Sequence, residues 1–74
     1  MTGKVTIYVL LPDEAVDVWR PVVAEPLGEN YFEIDDQPYD RGSERWQFEP
    51  GAHVVCEGRD LEGEAVLVAV ASAE

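Results

Sequence analysis

Few side chains in this 74-residue sequence are suited to binding soft metals or acting as nucleophiles. There is one histidine, His53, and one cysteine, Cys56, three positions apart. On a β-strand this spacing turns the two side chains to opposite faces, so without a bulge they do not share a zinc ion or form a catalytic Cys–His pair. We therefore expect Cys56 to be a small buried apolar residue. We also expect no catalytic residue, no metal site and no cofactor, and hence no enzyme.

Carboxylates are abundant, and several of them cluster in one polar stretch. The segment 36–44 contains a proline and a glycine and is the best candidate for a long loop. Its acids, with Asp35, are oxygen ligands of the type that calcium prefers, but their spacing matches no calcium-binding loop, and Arg41 and Arg45 bring compensating charge. We expect a solvated acidic loop. A small-ligand or metal-ion site in this loop is the alternative.

The charge of the chain limits the kinds of partner it can bind. Five Lys and Arg residues against sixteen Asp and Glu residues leave a formal net charge of -11. Nucleic acid and anionic membranes are excluded as partners because phosphate groups require a basic surface. Part of the acidity has a simpler explanation in solubility or in adaptation to the host.

Tyrosines surrounded by acids suggest a role for this charge. Such a surface suits the cationic groups of Arg, Lys or methylated Lys through cation–π contacts and charge complementarity. The leading hypothesis is a non-catalytic protein-interaction module whose acidic, tyrosine-bearing face binds a basic protein surface, as a regulator or an immunity-type inhibitor does. A structural accessory unit or a homodimer subunit is the alternative. The predicted contact residues are Tyr8, Tyr31, Asp35, Asp36, Tyr39 and Asp40.

Alternation of apolar and polar residues predicts strands as the elements that position these side chains. In the second predicted strand, Pro21 has no N–H to donate and therefore indicates an edge position or a bulge. In the fourth, Trp46 and Phe48 face inward as candidate core residues. The predicted strands are Val5–Leu11, Val16–Val23, Tyr31–Asp35, Arg45–Glu49, His53–Glu57 and Ala65–Ala71.

Turns separate the last predicted strands. Pro50 and Gly51 suit the two central positions of a type II turn, which would join the fourth and fifth strands in a hairpin. A second turn is expected over Gly58–Gly63. The segment Glu64–Ala73 has the composition of a helix as well as a strand, and its three alternating valines favour the strand.

Together these patterns predict a single small all-β domain over residues 1–74. The expected architecture is a Src-homology-3-like barrel of five to six short antiparallel strands, and a small open β-sandwich is the alternative. The start of the sequence lacks the features of a secretory signal, and no run approaches the roughly 20 apolar residues of a membrane span, so we expect a cytoplasmic protein.

Three short motifs occur in a characteristic order: Asp17-Val18-Trp19-Arg20-Pro21-Val22, Trp46-Gln47-Phe48-Glu49-Pro50-Gly51 and Val54-Val55-Cys56. This order resembles a pattern of small, uncharacterised bacterial proteins, over about residues 5–70. The resemblance implies a single-domain cytoplasmic bacterial protein. It implies no activity and no site residues.

Overall fold

A computed structural model of the chain describes residues 3–39 and 42–73, and its five β-strands close into a barrel. Neighbouring strands in the sequence pair antiparallel, whereas β1 and β5 close the barrel in parallel through the single pair Tyr8–Val68. The small all-β barrel is therefore confirmed and is consistent with a Src-homology-3-like barrel; the open sandwich is excluded. The strands are β1 Val5–Leu10, β2 Trp19–Pro26, β3 Tyr31–Ile34, β4 His53–Leu61 and β5 Glu64–Ser72.

The alternating apolar residues of the strands build the core, as their spacing predicts. Inward-facing side chains from different strands meet inside the barrel, and no polar or charged residue among those described is buried. Burying apolar area in this way is the main force that stabilises so small a fold. The core cluster consists of Ile7, Val9, Leu11, Val22, Ala24, Phe32, Ile34, Trp46, Val54, Cys56 and Ala69.

The second strand begins later than its sequence indicates. Val16 is 72% exposed and precedes β2, which instead runs on to Pro26. Pro21 lies opposite Tyr8 of β1, and β2 pairs with β3 only from Ala24 onward. Pro21 therefore has a free edge on one side, the environment that a residue without an N–H requires.

The predicted strand Arg45–Glu49 is wrong, because this segment is an irregular loop. Trp46 is buried and Phe48 packs against the core, so the two aromatic residues do face inward as expected. The backbone of this segment, however, is not part of a sheet. The Gln47 N–H instead donates a single hydrogen bond to the Leu10 carbonyl, at 2.9 Å. The pairing edge of β3 is already occupied by β4. One buried and one partly buried aromatic residue at alternate positions thus produce the sequence pattern of a strand in a segment that pairs with no other strand.

The turn at Pro50 and Gly51 is formed, but it does not make a hairpin. Gly51 has φ of 90°, and the Ala52 N–H donates to the Glu49 carbonyl at 3.0 Å, as a type II turn requires. The chain enters this turn from the loop rather than from a strand. The turn therefore directs β4 toward β3.

The last two strands form a hairpin longer than predicted. Gly58 does not begin a turn, since β4 continues to Leu61 and the connection is Glu62-Gly63. Both connecting residues have positive φ, 53° and 85°, which matches the right-handed twist of the strands they join. A register shift between Val55 and Cys56 marks a bulge in this ladder.

The segment Glu64–Ala73 is a strand over most of its length, as the alternating valines predicted. Residues 3–39 and 42–73 contain no helix. Accordingly, no helix in the described part of the chain has the length and apolar character needed to cross a membrane.

Candidate functional site

A groove of about 500 Å³ separates the outer side of β1 and β2 from the end of the β4–β5 hairpin. We call it the acidic groove. One side is formed by Tyr8 and Trp19 with the two residues that precede β2. The other side comes from the hairpin. The lining residues are Tyr8, Asp17, Val18, Trp19, Asp60, Leu61, Glu62, Glu64 and Val66.

The barrel registers place the aromatic residues of the groove. Ile7 and Val9 are fully buried, so Tyr8 between them turns outward. Trp19 lies opposite Leu10, two residues further along the same face of β1. Both rings are therefore presented on the outer surface by core packing beneath them, and both are only partly exposed.

Four carboxylates around the groove lack a neutralising partner within residues 3–39 and 42–73. Asp17, Asp60, Glu62 and Glu64 are exposed, and none takes part in an ion pair or a side-chain hydrogen bond there. Three basic side chains of the described residues pair with acids outside the groove, in the pairs Lys4–Asp35 at 2.5 Å, Arg20–Glu44 at 3.2 Å and Arg45–Asp13 at 4.0 Å. Arg59, which pairs with Glu57 at 2.8 Å, is the basic side chain that lies beside the groove in the described ranges. The groove therefore concentrates negative potential beside two aromatic rings.

One cation of the protein already rests on an aromatic ring of this groove. The guanidinium carbon of Arg59 lies 5.9 Å from the centroid of the Trp19 ring. Glu57, two residues away on β4, accepts a hydrogen bond from Nε of Arg59 at 2.8 Å. The Trp19 ring is thus oriented so that a cation reaches its face.

The predicted contact residues are dispersed over the barrel. Tyr8 lies in the acidic groove, whereas Tyr31 is half exposed on β3, which is not adjacent to β1. Asp35 forms an ion pair with Lys4, and Asp36 is exposed to solvent. Asp40 lies outside the described residues. The structure therefore does not bring these side chains together as one face.

Tyr39 packs against Trp46 rather than lying on an exposed binding surface. Its ring centroid is 4.5 Å from that of Trp46, and its hydroxyl accepts a hydrogen bond from the Trp46 N–H at 3.0 Å. The same hydroxyl donates to Glu49 at 3.4 Å. Glu44, another loop acid, accepts from the Trp46 indole at 2.7 Å. These loop side chains hold Trp46 in the core.

His53 and Cys56 are separated as their spacing predicts. Cys56 is buried, and burial raises the pKa of its thiol to about 11. His53 is half exposed, with its Nε2 3.7 Å from Glu33. Within the described ranges, no three His, Cys, Asp or Glu residues are grouped to hold a metal ion.

Sequence reasoning missed most of the acidic groove. The sequence pattern places Asp60 and Glu62 in the expected turn Gly58–Gly63 and Glu64 at the start of the following segment, and it does not connect them with Tyr8 or Trp19. The available signal was the concentration of acids around Gly63 in a chain with few bases. Their meeting with Tyr8 and Trp19 depends on the hairpin, which joins residues far apart in sequence.

No family model, curated protein or solved structure matches this chain.

Proposed function

We propose that this protein is a non-catalytic interaction module that binds a basic segment of another protein in the acidic groove. The observation that carries the proposal is the set of four unpaired carboxylates around Tyr8 and Trp19. A cationic side chain entering the groove would meet an aromatic face and several carboxylates at once. That combination favours Arg, Lys and methylated Lys over neutral or acidic groups.

The surroundings of the groove support binding rather than catalysis. It is lined by carboxylates, aromatic rings and aliphatic side chains, and the thiol of Cys56 is buried away from it in the core. The raised pKa of Cys56 also disfavours the thiolate that nucleophilic catalysis needs. We therefore propose that the groove positions a partner without transforming it.

We also propose a cytoplasmic location in a bacterium, on the resemblance of the Trp19, Trp46 and Cys56 motifs to small bacterial proteins. A single buried thiol with no second cysteine suits a reducing compartment. In such a location a groove for basic segments would act on intracellular protein partners.

The proposal is tested with two labelled peptides in which arginine or glutamate alternates with valine. Fluorescence anisotropy measures their binding at low and at high salt. We expect the arginine peptide to bind, with an affinity that falls as salt rises, and the glutamate peptide not to bind. Equal binding of both peptides would contradict the proposal.

A matched pair of variants locates the site. Asp60→Asn with Glu64→Gln removes two groove charges, and Glu29→Gln with Asp36→Asn removes two exposed charges on the β3 side of the barrel. We expect the groove variant to weaken the arginine peptide about fivefold and the control variant less than about twofold, since each exposed charge contributes about 0.5 kcal/mol. Equal losses in both variants would assign binding to overall charge instead.

A further inference from the structure

The acidic groove has a cation of the protein's own beside it. Arg59 of β4 pairs with Val66 of β5, and Val66 lines the groove. Paired residues of an antiparallel ladder project from the same face of a hairpin, so Arg59 lies on the groove side of β4. Its guanidinium carbon is 5.9 Å from the centroid of the Trp19 ring, within the range of a cation–π contact. The ring that would receive a partner's cation therefore already carries one.

Glu57 holds Arg59 in this position. Nε of Arg59 donates a hydrogen bond to Glu57 at 2.8 Å, and within the described residues Arg59 makes no ion pair with the four carboxylates of the groove. Glu57 precedes Arg59 by two residues on β4, so both side chains lie on the same face of the strand. Arg59 thus occupies the aromatic part of the site and leaves its acidic part unpaired.

The contact between Arg59 and Trp19 is open to solvent. The side chains of Arg59 and Glu57 are 46% and 51% exposed. Water can therefore solvate the guanidinium when it leaves the ring, and the ion pair with Glu57 does not require Trp19. An exposed contact of this type favours the occupied ring by about two- to fivefold. Such a preference lowers the affinity for another cation and is small enough for that cation to overcome.

We infer that Arg59 is an internal competitor for the cation position of the acidic groove. In the unbound protein Arg59 rests on Trp19, and a partner's cation displaces it on binding. The inference rests on the proposed function and adds a regulation of the same site. The partner's cation prevails because it gains the groove carboxylates together with the ring, whereas Arg59 leaves those carboxylates unpaired in the described part of the chain.

Competition of this kind has a defined effect on affinity. A site that is blocked for part of the time binds its ligand more weakly, in proportion to the fraction of molecules in which the site is free. A two- to fivefold preference for the occupied ring therefore lowers the affinity of the partner about three- to sixfold. Removal of the Arg59 guanidinium should restore that factor.

Fluorescence anisotropy with the arginine–valine peptide measures the competition. We expect Arg59→Met to bind the peptide about three- to sixfold more tightly than wild type. Arg45→Met removes an equal charge from an ion pair outside the groove and should bind within about twofold of wild type. In a Trp19→Leu background the gain from Arg59→Met should fall below about twofold, because there is no ring to compete for. A gain that persists in that background would arise from charge repulsion and would overturn the inference.

NMR of the unmodified protein follows Arg59 directly. In the free protein, the ring current of Trp19 should shift the side-chain proton signals of Arg59 away from their positions in Trp19→Leu. We expect saturation with the peptide to move these signals to the Trp19→Leu positions, because the guanidinium leaves the ring. Signals that keep their free positions in the saturated complex, or that match Trp19→Leu before peptide is added, would overturn the inference and leave the groove proposal intact. Absence of peptide binding to both wild type and Arg59→Met would overturn the proposed function and this inference together.

Discussion

Arg59 of β4 lies over the Trp19 ring of β2, with 5.9 Å between the guanidinium carbon and the ring centroid. The contact joins the hairpin to the barrel wall across the acidic groove. A cation of the protein itself thus lies on one face of the Trp19 ring, the kind of contact that the proposed function assigns to a cation of the partner.

A double-mutant cycle measures this contact. We expect Arg59→Met and Trp19→Leu to show a coupling free energy of about 0.5 to 1 kcal/mol in urea unfolding, the range of exposed cation–π pairs. Arg59→Lys serves as the control, since it retains the positive charge. Strict additivity of the two single variants would mean that the ring and the guanidinium do not interact.

Trp46 is the most critical core residue of the loop that precedes β4. It is 5% exposed, and Tyr39 and Glu44 bind its backbone N–H and its indole. We expect Trp46→Ala to lower the free energy of unfolding by about 3 to 5 kcal/mol, which leaves little of the stability of so small a domain. Chemical denaturation followed by circular dichroism measures the loss. Trp46→Phe retains most of the ring volume and should lose less of the free energy of unfolding. An unchanged denaturation midpoint in Trp46→Ala would place Trp46 outside the core.

Glu62 is a suboptimal residue for the hairpin turn. It is the non-glycine residue with positive φ in the described chain, and Gly63 follows it at φ 85°. Asn tolerates this conformation better than Glu, so we expect Glu62→Asn to raise the free energy of unfolding by about 0.5 to 1 kcal/mol. Thermal melting checks the gain. Gly63→Ala should be destabilising, and a gain in that variant would contradict the turn geometry.

The buried thiol of Cys56 makes stability depend on pH in the alkaline range. Its pKa is raised from 9.0 to about 11, so above pH 9 the unfolded chain releases a proton that the folded chain retains. Stability from this group is therefore fully present below pH 9 and falls as pH rises toward 11. Between pH 8 and 10 we expect a loss of about 1 kcal/mol, measured as the difference between wild type and Cys56→Ala. Parallel pH profiles for the two proteins would show that Cys56 is not buried as a thiol.

Local alternation of apolar and polar residues is enough to predict the fold class and most of the core. Alternation over Ile7 and Val9, over Phe32 and Ile34, and over Val54 and Cys56 predicts strands whose inward residues are the buried ones observed. The reason is that a strand has a two-residue period, so local order in the sequence decides which side chains share a face. The Pro50-Gly51 turn was predictable for the same local reason, because only backbone preferences of adjacent residues are involved.

Which strands pair, and which side chains meet in the acidic groove, depend on the packing of the whole barrel. Nothing local distinguishes Arg45–Glu49 from a strand, and it forms a loop because β4 occupies the edge of β3 that it would need. The predicted contact residues also lie apart from one another in the structure. Tyr39 packs on Trp46, whereas Tyr8 lies beside Trp19 and the acids at the far end of the β4–β5 hairpin. Which strands become neighbours depends on the free energy of the whole barrel, including contacts between residues some 50 positions apart, and that information is absent from any short stretch of sequence.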